Sequence, residues 1–257
     1  MTIVTETSDD RPKEGMAVLL EVSGLNKRYG AVIVADDITF SLDRHTCLGL
    51  IGPNGAGKSS LFNMLTGITA PDRGRIRFRG HDIDSLAPHL LARRGIVRAF
   101  QIPRPFTQLT VYENVLTAAL YGAGLLGAEA QRHAVDVLST TGLLSFAEKA
   151  AGHLPLLDRK RLELAKAIAS NPELLLLDEI ASGLIEHEVA VLIELIATLK
   201  RKHAIIWIEH IPHALRAVAD RMMVLHFGRK VLDGTPAEIM ASPIVREIYM
   251  GLRADAA

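Results

Sequence analysis

Short apolar runs alternate along the chain with stretches that repeat apolar residues at helical spacing. The runs are rich in leucine and β-branched residues and are bounded by glycine, proline or charged residues, which is typical of buried strands. We predict strands at Val18 to Val22, Ile38 to Leu42, Thr46 to Ile51, Arg75 to Phe78, Leu174 to Leu177, Ala204 to Ile208 and Met222 to His226. Because helical patterns separate these strands, the sequence predicts an α/β fold.

The pattern changes from residue 110 to residue 151, where helix-forming residues with glycine breaks replace the strand-like runs. Strands return after this stretch, so a helical insertion splits the α/β part. We therefore expect a flexible tail at residues 1–15 and a single folded domain at 16–257, made of an α/β core at 16–103 and 171–257 and a helical subdomain at 104–170.

The composition of the chain limits the partners that it can bind through charge. Of the 257 residues 49% are hydrophobic, and lysine plus arginine equal aspartate plus glutamate at 29 each. This balance argues against a nucleic-acid partner. The uncharged stretch from Val115 to Ala128 is shorter than the about 18 residues of a membrane-spanning helix. Cys47 is the single cysteine, which excludes an internal disulfide.

A glycine-rich turn follows the strand that ends at Ile51 and precedes a predicted helix from Lys58 to Leu65. It reads GPNGAGKSS and matches the phosphate-binding pattern G-x-x-x-x-G-K-[ST]. Glycines let backbone N–H groups surround an anion, and the start of the helix adds a positive partial charge. The lysine of this pattern reaches the β- and γ-phosphates, and the serine after it ligates Mg²⁺. The predicted phosphate site comprises Gly52, Pro53, Asn54, Gly55, Ala56, Gly57, Lys58, Ser59 and Ser60.

Polar residues follow two of the other predicted strands. Asp178 and Glu179 come directly after four leucines, and His210 follows the strand that ends at Ile208. Since ligands bind at the carboxyl ends of parallel strands, we expect these side chains to lie together. Asp178 would hold Mg²⁺ through water, Glu179 would polarise an attacking water, and His210 would contact that water or the γ-phosphate. An ordinary acidic loop is the alternative.

Gln101 lies in RAFQIPRPF, where the α/β part meets the helical insertion. A glutamine at this place would contact Mg²⁺ and sense the γ-phosphate. A solvent-facing loop residue is the alternative interpretation.

These motifs, in this order, resemble the nucleotide-binding subunit of ABC transporters, over roughly Leu20 to Gly251. The resemblance implies a RecA-like P-loop NTPase core with an antiparallel β strip at its start, and it implies ATP and Mg²⁺ as ligands. It also makes Tyr29 the ring that stacks on adenine, with a plain surface aromatic as the alternative. The residues to which it gives roles in catalysis or metal binding are Lys58, Ser59, Gln101, Asp178, Glu179 and His210.

Two further segments are similar to the ATP-binding subunits of branched-chain amino acid importers, namely VRAFQIPRPFTQLTVYENV and LDGTPAEIMASPIVREIYMG. This similarity implies an ATPase that drives the import of branched-chain or other hydrophobic amino acids, with urea or an organic acid as alternative cargo. The implied partners are a second ATPase subunit, two transmembrane permease subunits and a periplasmic or extracellular solute-binding protein. The implied location is the cytoplasmic face of the inner (plasma) membrane.

One motif departs from the family. The resemblance puts Leu154, Pro155, Leu156, Leu157 and Asp158 where the family has a Leu-Ser-Gly-Gly-Gln-like signature that caps the ATP of a partner subunit. Pro155 offers neither a hydroxyl nor an N–H. Leu157 brings a side chain where the backbone should approach closely. We predict Asp158 as the N-cap of the following helix, with a carboxylate that opposes a phosphate. Ile185 likewise stands where the family usually has a polar residue.

Three interpretations of the altered signature stay open. It can be a working variant in a homodimer. It can mark a heterodimer, in which this chain's own site hydrolyses ATP and the partner's site does so poorly. It can also belong to a regulatory ATP-binding subunit with little turnover. A soluble ABC ATPase of repair or translation usually holds two cassettes or long coiled-coil insertions, and this sequence has neither.

Overall fold

The computed structural model describes residues 18–250, with side chains up to residue 248, so the predicted tail at 1–15 lies outside the described residues. Within them the strands are β1 (Val18–Tyr29), β2 (Val32–Asp43), β3 (Cys47–Ile51), β4 (Arg73–Phe78), β5 (His81–Asp82), β6 (Ile96–Ala99), β7 (Leu174–Asp178), β8 (Ala204–Ile208), β9 (Arg221–His226) and β10 (Arg229–Gly234). The α-helices are α1 (Lys58–Leu65), α2 (Pro88–Arg93), α3 (Val111–Tyr121), α4 (Gly127–Thr140), α5 (Leu156–Ala169), α6 (Glu186–Lys200), α7 (Pro212–Val218), α8 (Pro236–Ala241) and α9 (Pro243–Met250).

All seven predicted strands are present, and the helix at Lys58–Leu65 has the predicted bounds. The strand predicted from Thr46 begins one residue later, at Cys47. Strands β1 and β2 are each 12 residues long, because a turn at Gly30 joins them into one hairpin. The sequence analysis missed β5, β6 and β10. These strands are short or carry charged residues, so they lack an apolar run.

The central sheet has the strand order β10-β9-β3-β8-β7-β6. Strands β3, β6, β7, β8 and β9 run parallel, and β10 adds an antiparallel edge. The carboxyl ends of four of the parallel strands therefore meet at one edge, where they lead into the glycine-rich turn, Gln101, Glu179 and His210. The α/β fold is confirmed, and so is the antiparallel strip at the start, which has the order β2-β1-β4-β5.

The leucines of β7 alternate between two hydrophobic cores. Leu174 and Leu176 face the core that contains the antiparallel sheet and α1, whereas Leu175 and Leu177 face the core that contains α3 to α7. All four are fully buried. A strand that is covered on both faces reads as a continuous apolar run, which explains why this strand was recognisable from the sequence.

Helices α3, α4 and α5 pack against one another and supply the predicted helical segment. Between residues 110 and 151 the described chain has no strand, but Thr110 and Ala150 form an isolated antiparallel bridge. None of the helices in the described range is long and apolar enough to cross a membrane. The division into a core and a subdomain at 104 and 170 stays a prediction.

Candidate functional site

The glycine-rich turn between β3 and α1 lies against neighbouring backbone. At Gly57, φ is 103°, and a Cβ would come within 2.2 Å of the Val34 carbonyl oxygen. At Gly52 a Cβ would come within 2.2 Å of the Leu225 carbonyl oxygen. These positions therefore require glycine, whereas a Cβ on Gly55 meets nothing within 4 Å. The hairpin β1–β2 and strand β9 hold the turn in place.

Lys58 is buried and lies folded over this turn. Its Nζ atom donates to the carbonyl oxygens of Gly52 at 2.7 Å and of Pro53 at 3.1 Å. Burial lowers the pKa of the Lys58 ammonium, and the nearby carboxylates of Glu179 and Asp178 oppose this shift. The sheet thus brings the lysine and the acidic pair together, as the sequence predicted. Ser59 and Ser60 lie beside it in the first turn of α1, and Ser59 is exposed.

Glu179 is held between His210, which the sequence analysis placed beside it, and Gln101, which it expected at the metal. Oε1 of Glu179 lies 2.8 Å from Nε2 of His210, and Oε2 of Glu179 accepts a hydrogen bond of 2.8 Å from Nε2 of Gln101. An ionised carboxylate can only accept, so Nε2 of His210 carries the proton in this contact. The backbone of Glu179 has a φ of 47°, which a residue other than glycine rarely adopts. A carboxylate in this setting is suited to orient a water.

Asp178, the last residue of β7, accepts a hydrogen bond from the Arg98 guanidinium. No cluster of three or more His, Cys, Asp or Glu side chains suited to a metal occurs in the described part of the chain. Mg²⁺, which the sequence predicts, takes one or two carboxylates and completes its shell with water and substrate phosphates. The Asp178 carboxylate and the Ser59 hydroxyl stay the predicted donors, and the Gln101 amide is engaged with Glu179.

Two residues that the sequence analysis missed extend this network. Lys160, in α5, donates to the backbone carbonyl of Gln101. Glu209 is fully buried and accepts the N–H groups of Ala181 at 2.7 Å and of His210 at 3.2 Å. A continuous line of hydrogen bonds therefore joins α5 to the loop after β7 by way of Glu179.

The altered signature stands at the start of α5, and its predicted N-cap was wrong. The N-cap residue is Pro155, which has an extended backbone, and the helix begins at Leu156. Asp158 is the third residue of the helix, in its first turn, where it is buried and accepts a hydrogen bond of 3.2 Å from Arg161. Its carboxylate is therefore neutralised by its own helix.

The side chains of the signature differ in exposure. Leu154 is buried, Pro155 is exposed, Leu157 is half-buried, and Leu156 is 43% exposed. A Cβ on Gly183 would lie 3.4 Å from Leu156 Cδ2, so the signature touches the loop after β7. Ile185 in that loop is 59% exposed. The two departures from the family pattern thus lie on neighbouring segments and leave large apolar side chains open to solvent.

Tyr29 ends β1 and is half exposed. Its hydroxyl lies 3.3 Å from Oγ1 of Thr69, and Nζ of Lys27 lies 5.4 Å from the ring centre. The hairpin that carries Tyr29 also supplies Val34, which touches the glycine-rich turn. The ring is therefore available to a ligand, while its role in stacking stays a prediction.

Comparison with known proteins supports the same family. A family model described as ABC transporter matches residues 35–182. The chain is 36% identical over 249 residues to the high-affinity branched-chain amino acid transport ATP-binding protein BraF of Pseudomonas aeruginosa, an alignment that covers 91% of this chain and 98% of the relative. It is 38% identical over 250 residues to LivG of Escherichia coli, which has the same description, with the same shares covered.

Among solved structures, the chain is similar to MJ1267, described as an ATP-binding cassette of an ABC transporter, in its ADP conformation. The TM-score is 0.85 at 27% sequence identity, and the superposition covers 92% of this chain and all of the other. The family model spans more than half of the chain, and these relatives match it along nearly its whole folded length. The chain therefore belongs to the ABC transporter family, in which it is an ATP-binding subunit.

Proposed function

We propose that this subunit hydrolyses ATP in the site between the glycine-rich turn and the end of β7, and that hydrolysis drives import of branched-chain or other hydrophobic amino acids. One observation carries the proposal. The carboxylate of Glu179 stands at the sheet edge near Lys58, and the side chains of Gln101 and His210 hold it from both sides. Glu179 is thus the group that polarises the attacking water.

Each neighbouring residue has a role that its surroundings support. The backbone of the glycine-rich turn and Lys58 bind the phosphates. Ser59 and Asp178 hold Mg²⁺, with Gln101 reaching the metal once the γ-phosphate is present. Mg²⁺, when bound, neutralises charge on the phosphate oxygens. His210 positions Glu179 and the water, and Tyr29 stacks on the adenine.

The cargo is assigned through the relatives, since two of them are described as branched-chain amino acid transport proteins. Urea or an organic acid is the alternative cargo. The proposed partners are two transmembrane permease subunits, a solute-binding protein and a second ATPase subunit, at the cytoplasmic face of the membrane. Uptake of radiolabelled leucine, isoleucine and valine by the reconstituted assembly, with urea and short organic acids as competitors, tests the cargo.

A regulatory subunit is the second candidate function. Pro155 at the N-cap of α5 supplies no hydroxyl for a partner's γ-phosphate, and Asp158 is engaged with Arg161. A site capped by this signature would bind ATP and hydrolyse it poorly. The hydrogen-bonding contacts of His210 and Gln101 with Glu179 favour turnover in this chain's own site.

The first test is ATP hydrolysis by the purified chain over a range of protein concentrations, with Glu179→Gln as the matched blank. Because the catalytic site needs a second subunit, an active homodimer gives a specific rate that rises with concentration. The mutant is expected to lower that rate by about 100-fold or more. Binding of a fluorescent ATP analogue, measured in parallel, separates lost binding from lost turnover. ATP binding without turnover, alone or with a second ATPase, would overturn the proposed hydrolysis.

A further inference from the structure

Arg98 occupies a place that the proposed function does not use. It lies in β6, three residues before Gln101, and its side chain is 8% exposed. Its Nη2 atom donates to Oδ2 of Asp178, and its Nη1 donates to Oδ1 of Asn63 at 2.8 Å. The rings of Phe62 and Phe100 lie 5.5 and 4.9 Å from the guanidinium carbon. Arg98 is therefore held from α1, from β7 and from the loop that leads to Gln101.

This contact changes the charge of the proposed metal site. A guanidinium stays protonated at every physiological pH, so Asp178 is permanently paired with a cation. The Asp178 side chain is 10% exposed, so solvent screens the pair weakly. A second cation at the same carboxylate meets repulsion from Arg98. The negative charge that would offset this repulsion must come from another molecule, and a nucleotide's phosphates carry it.

Stability alone is a weak explanation for the pair. Taking two charges out of water costs free energy that their attraction often only balances, so an apolar pair of similar size would serve a core equally well. The pair does fix the position of the Asp178 carboxylate, because the planar guanidinium of arginine binds two acceptors in fixed directions. Here those acceptors are on α1, which follows the phosphate-binding turn, and on β7, which carries the metal ligand.

We infer that Arg98 is a positioning residue that holds Asp178 and cancels its charge, so that the site takes a divalent cation only together with a nucleotide. The inference rests on the proposed role of Asp178 as a Mg²⁺ ligand. Without nucleotide the guanidinium occupies the carboxylate and repels the metal. With nucleotide the phosphates add negative charge and oxygen ligands, and the metal binds beside the pair.

The test measures binding of Mn²⁺, which accepts the same oxygen ligands as Mg²⁺ and is followed by electron paramagnetic resonance. Affinity is determined for the purified chain without nucleotide and with ADP, as wild type and as Arg98→Met. Removing the guanidinium removes its repulsion of a divalent cation at the same carboxylate, so we expect the mutant to bind Mn²⁺ at least about tenfold more tightly without nucleotide. With ADP bound, Arg98→Met should increase the affinity for Mn²⁺ by a smaller factor.

Three variants make the result specific. Arg98→Lys keeps the charge, and Asn63→Ala removes the other hydrogen bond while leaving the charge in place, so both are expected to bind Mn²⁺ without nucleotide as wild type does. Asp178→Asn, added to Arg98→Met, should cancel the gain. Arg98→Gln, which is neutral and keeps a donor, replaces Arg98→Met if the latter fails to fold by circular dichroism.

Unchanged or weaker Mn²⁺ binding in folded Arg98→Met or Arg98→Gln would overturn the inference, as would an equal gain in Asn63→Ala. The separate effect of Asp178→Asn on Mn²⁺ binding with ADP tests the proposed role of Asp178. If Asp178→Asn weakens Mn²⁺ binding with ADP but Arg98→Met has no effect, the inference is contradicted while the proposed function stands. If Asp178→Asn does not weaken Mn²⁺ binding with ADP, Asp178 is not a metal ligand and the inference loses its basis.

Discussion

At the scale of single residues, the proposed turnover rests on the two hydrogen-bonding contacts that hold the Glu179 carboxylate. His210 and Gln101 each hold one carboxylate oxygen at 2.8 Å. The left-handed backbone of Glu179 aims the side chain at these partners, and such a conformation persists where the surroundings support it. The two contacts come from different elements, so both are needed to define the direction of the carboxylate.

Replacing His210 by alanine tests the contact between His210 and Glu179. Oε1 of Glu179 loses its partner and the carboxylate can rotate, so we expect ATP hydrolysis to fall by about 100-fold, the size typical of a displaced acid–base group. Binding of ATP should change little, since the glycine-rich turn is untouched. His213→Ala is the matched control, because that exposed ring pairs with Glu186 at 3.4 Å instead of with Glu179. Equal losses in the two variants would contradict the role of His210.

Glu209 makes stability depend on pH. Burial raises the pKa of its carboxyl above the ordinary value of 4.5, and the hydrogen bonds from Ala181 and His210 oppose the shift. A group with a raised pKa in the folded state binds protons on folding. Its stabilising contribution is therefore full below pH 4.5 and is lost as the pH rises through the folded value.

The measurement for Glu209 is the free energy of unfolding by urea, from pH 4.5 to neutral pH, for wild type and Glu209→Gln. Glutamine cannot titrate, so we expect the free energy of unfolding of the wild type to fall relative to that of Glu209→Gln as the pH rises. The slope is the readout, because the absolute stability also reflects one of the two backbone hydrogen bonds, which the amide nitrogen of glutamine cannot accept. Parallel curves would show that Glu209 does not titrate in this interval.

At the scale of elements, the turn between β3 and α1 depends on the hairpin that packs on it. Gly57 combines a positive φ with a close approach to the Val34 carbonyl oxygen. Gly55 has a φ of 80° and open space around it. Comparing Gly55 with Gly57 separates two reasons why a position requires glycine, namely a positive φ and a lack of space for a Cβ.

We expect Gly55→Ala to lower the free energy of unfolding by about 1 to 2 kcal/mol, which is the cost of a left-handed conformation with a Cβ. Gly57→Ala should cost more, because the Cβ at 2.2 Å from the carbonyl forces the hairpin or the turn to move. It should also abolish binding of an ATP analogue, whereas Gly55→Ala should retain it. Urea unfolding and analogue binding check both, and equal effects would contradict the role of the hairpin.

The Lys160 contact acts at the same scale. It joins α5 to the backbone of Gln101, so the start of the signature helix and the residue that holds Glu179 form one connected unit. Burial lowers the pKa of the Lys160 ammonium, while the carboxylates of Glu209, Glu163 and Glu179 oppose the shift. The network therefore joins motifs that belong, by resemblance to the family, to two ATP sites of a dimer.

At the scale of the whole molecule, we propose that the signature decides whether one or two sites of the proposed dimer are active. Leu156 and Ile185 expose large apolar side chains on adjacent segments. In a family that caps a partner's ATP with polar groups, these side chains weaken the cap, since Pro155 adds no donor. An assembly with one active site follows if the second ATPase subunit has an intact signature.

A mixed assembly of this chain with its second ATPase subunit tests that asymmetry. We expect Glu179→Gln in this chain to remove nearly all hydrolysis, and the equivalent change in the partner to remove little. Pro155→Ser combined with Leu157→Gly should raise the turnover of the partner's site, because a hydroxyl and close backbone return to the start of α5. Hydrolysis that survives Glu179→Gln in this chain would contradict the asymmetric assembly.

The sequence by itself determined the α/β class, seven strands, the glycine-rich turn and the residues at the strand ends. These features depend on local patterns: four leucines mark a strand that is buried on both faces, and nine residues hold the phosphate-binding motif. Glu179 and His210 were placed together because parallel strands bring their carboxyl ends to one edge. The contact of Gln101 with Glu179 was not predicted, because the sequence did not reveal β6.

Only the tertiary structure decided the partners of those residues. Arg98 and Asp178 are 80 residues apart and meet because β6 and β7 are neighbours in the sheet. Lys160 and Glu209 were given no role from the sequence, yet both are buried. Asp158 suited an N-cap by its residue type, but Pro155 took that place and packing turned Asp158 to Arg161. Pairing between distant side chains depends on strand order and on burial, which local periodicity does not encode.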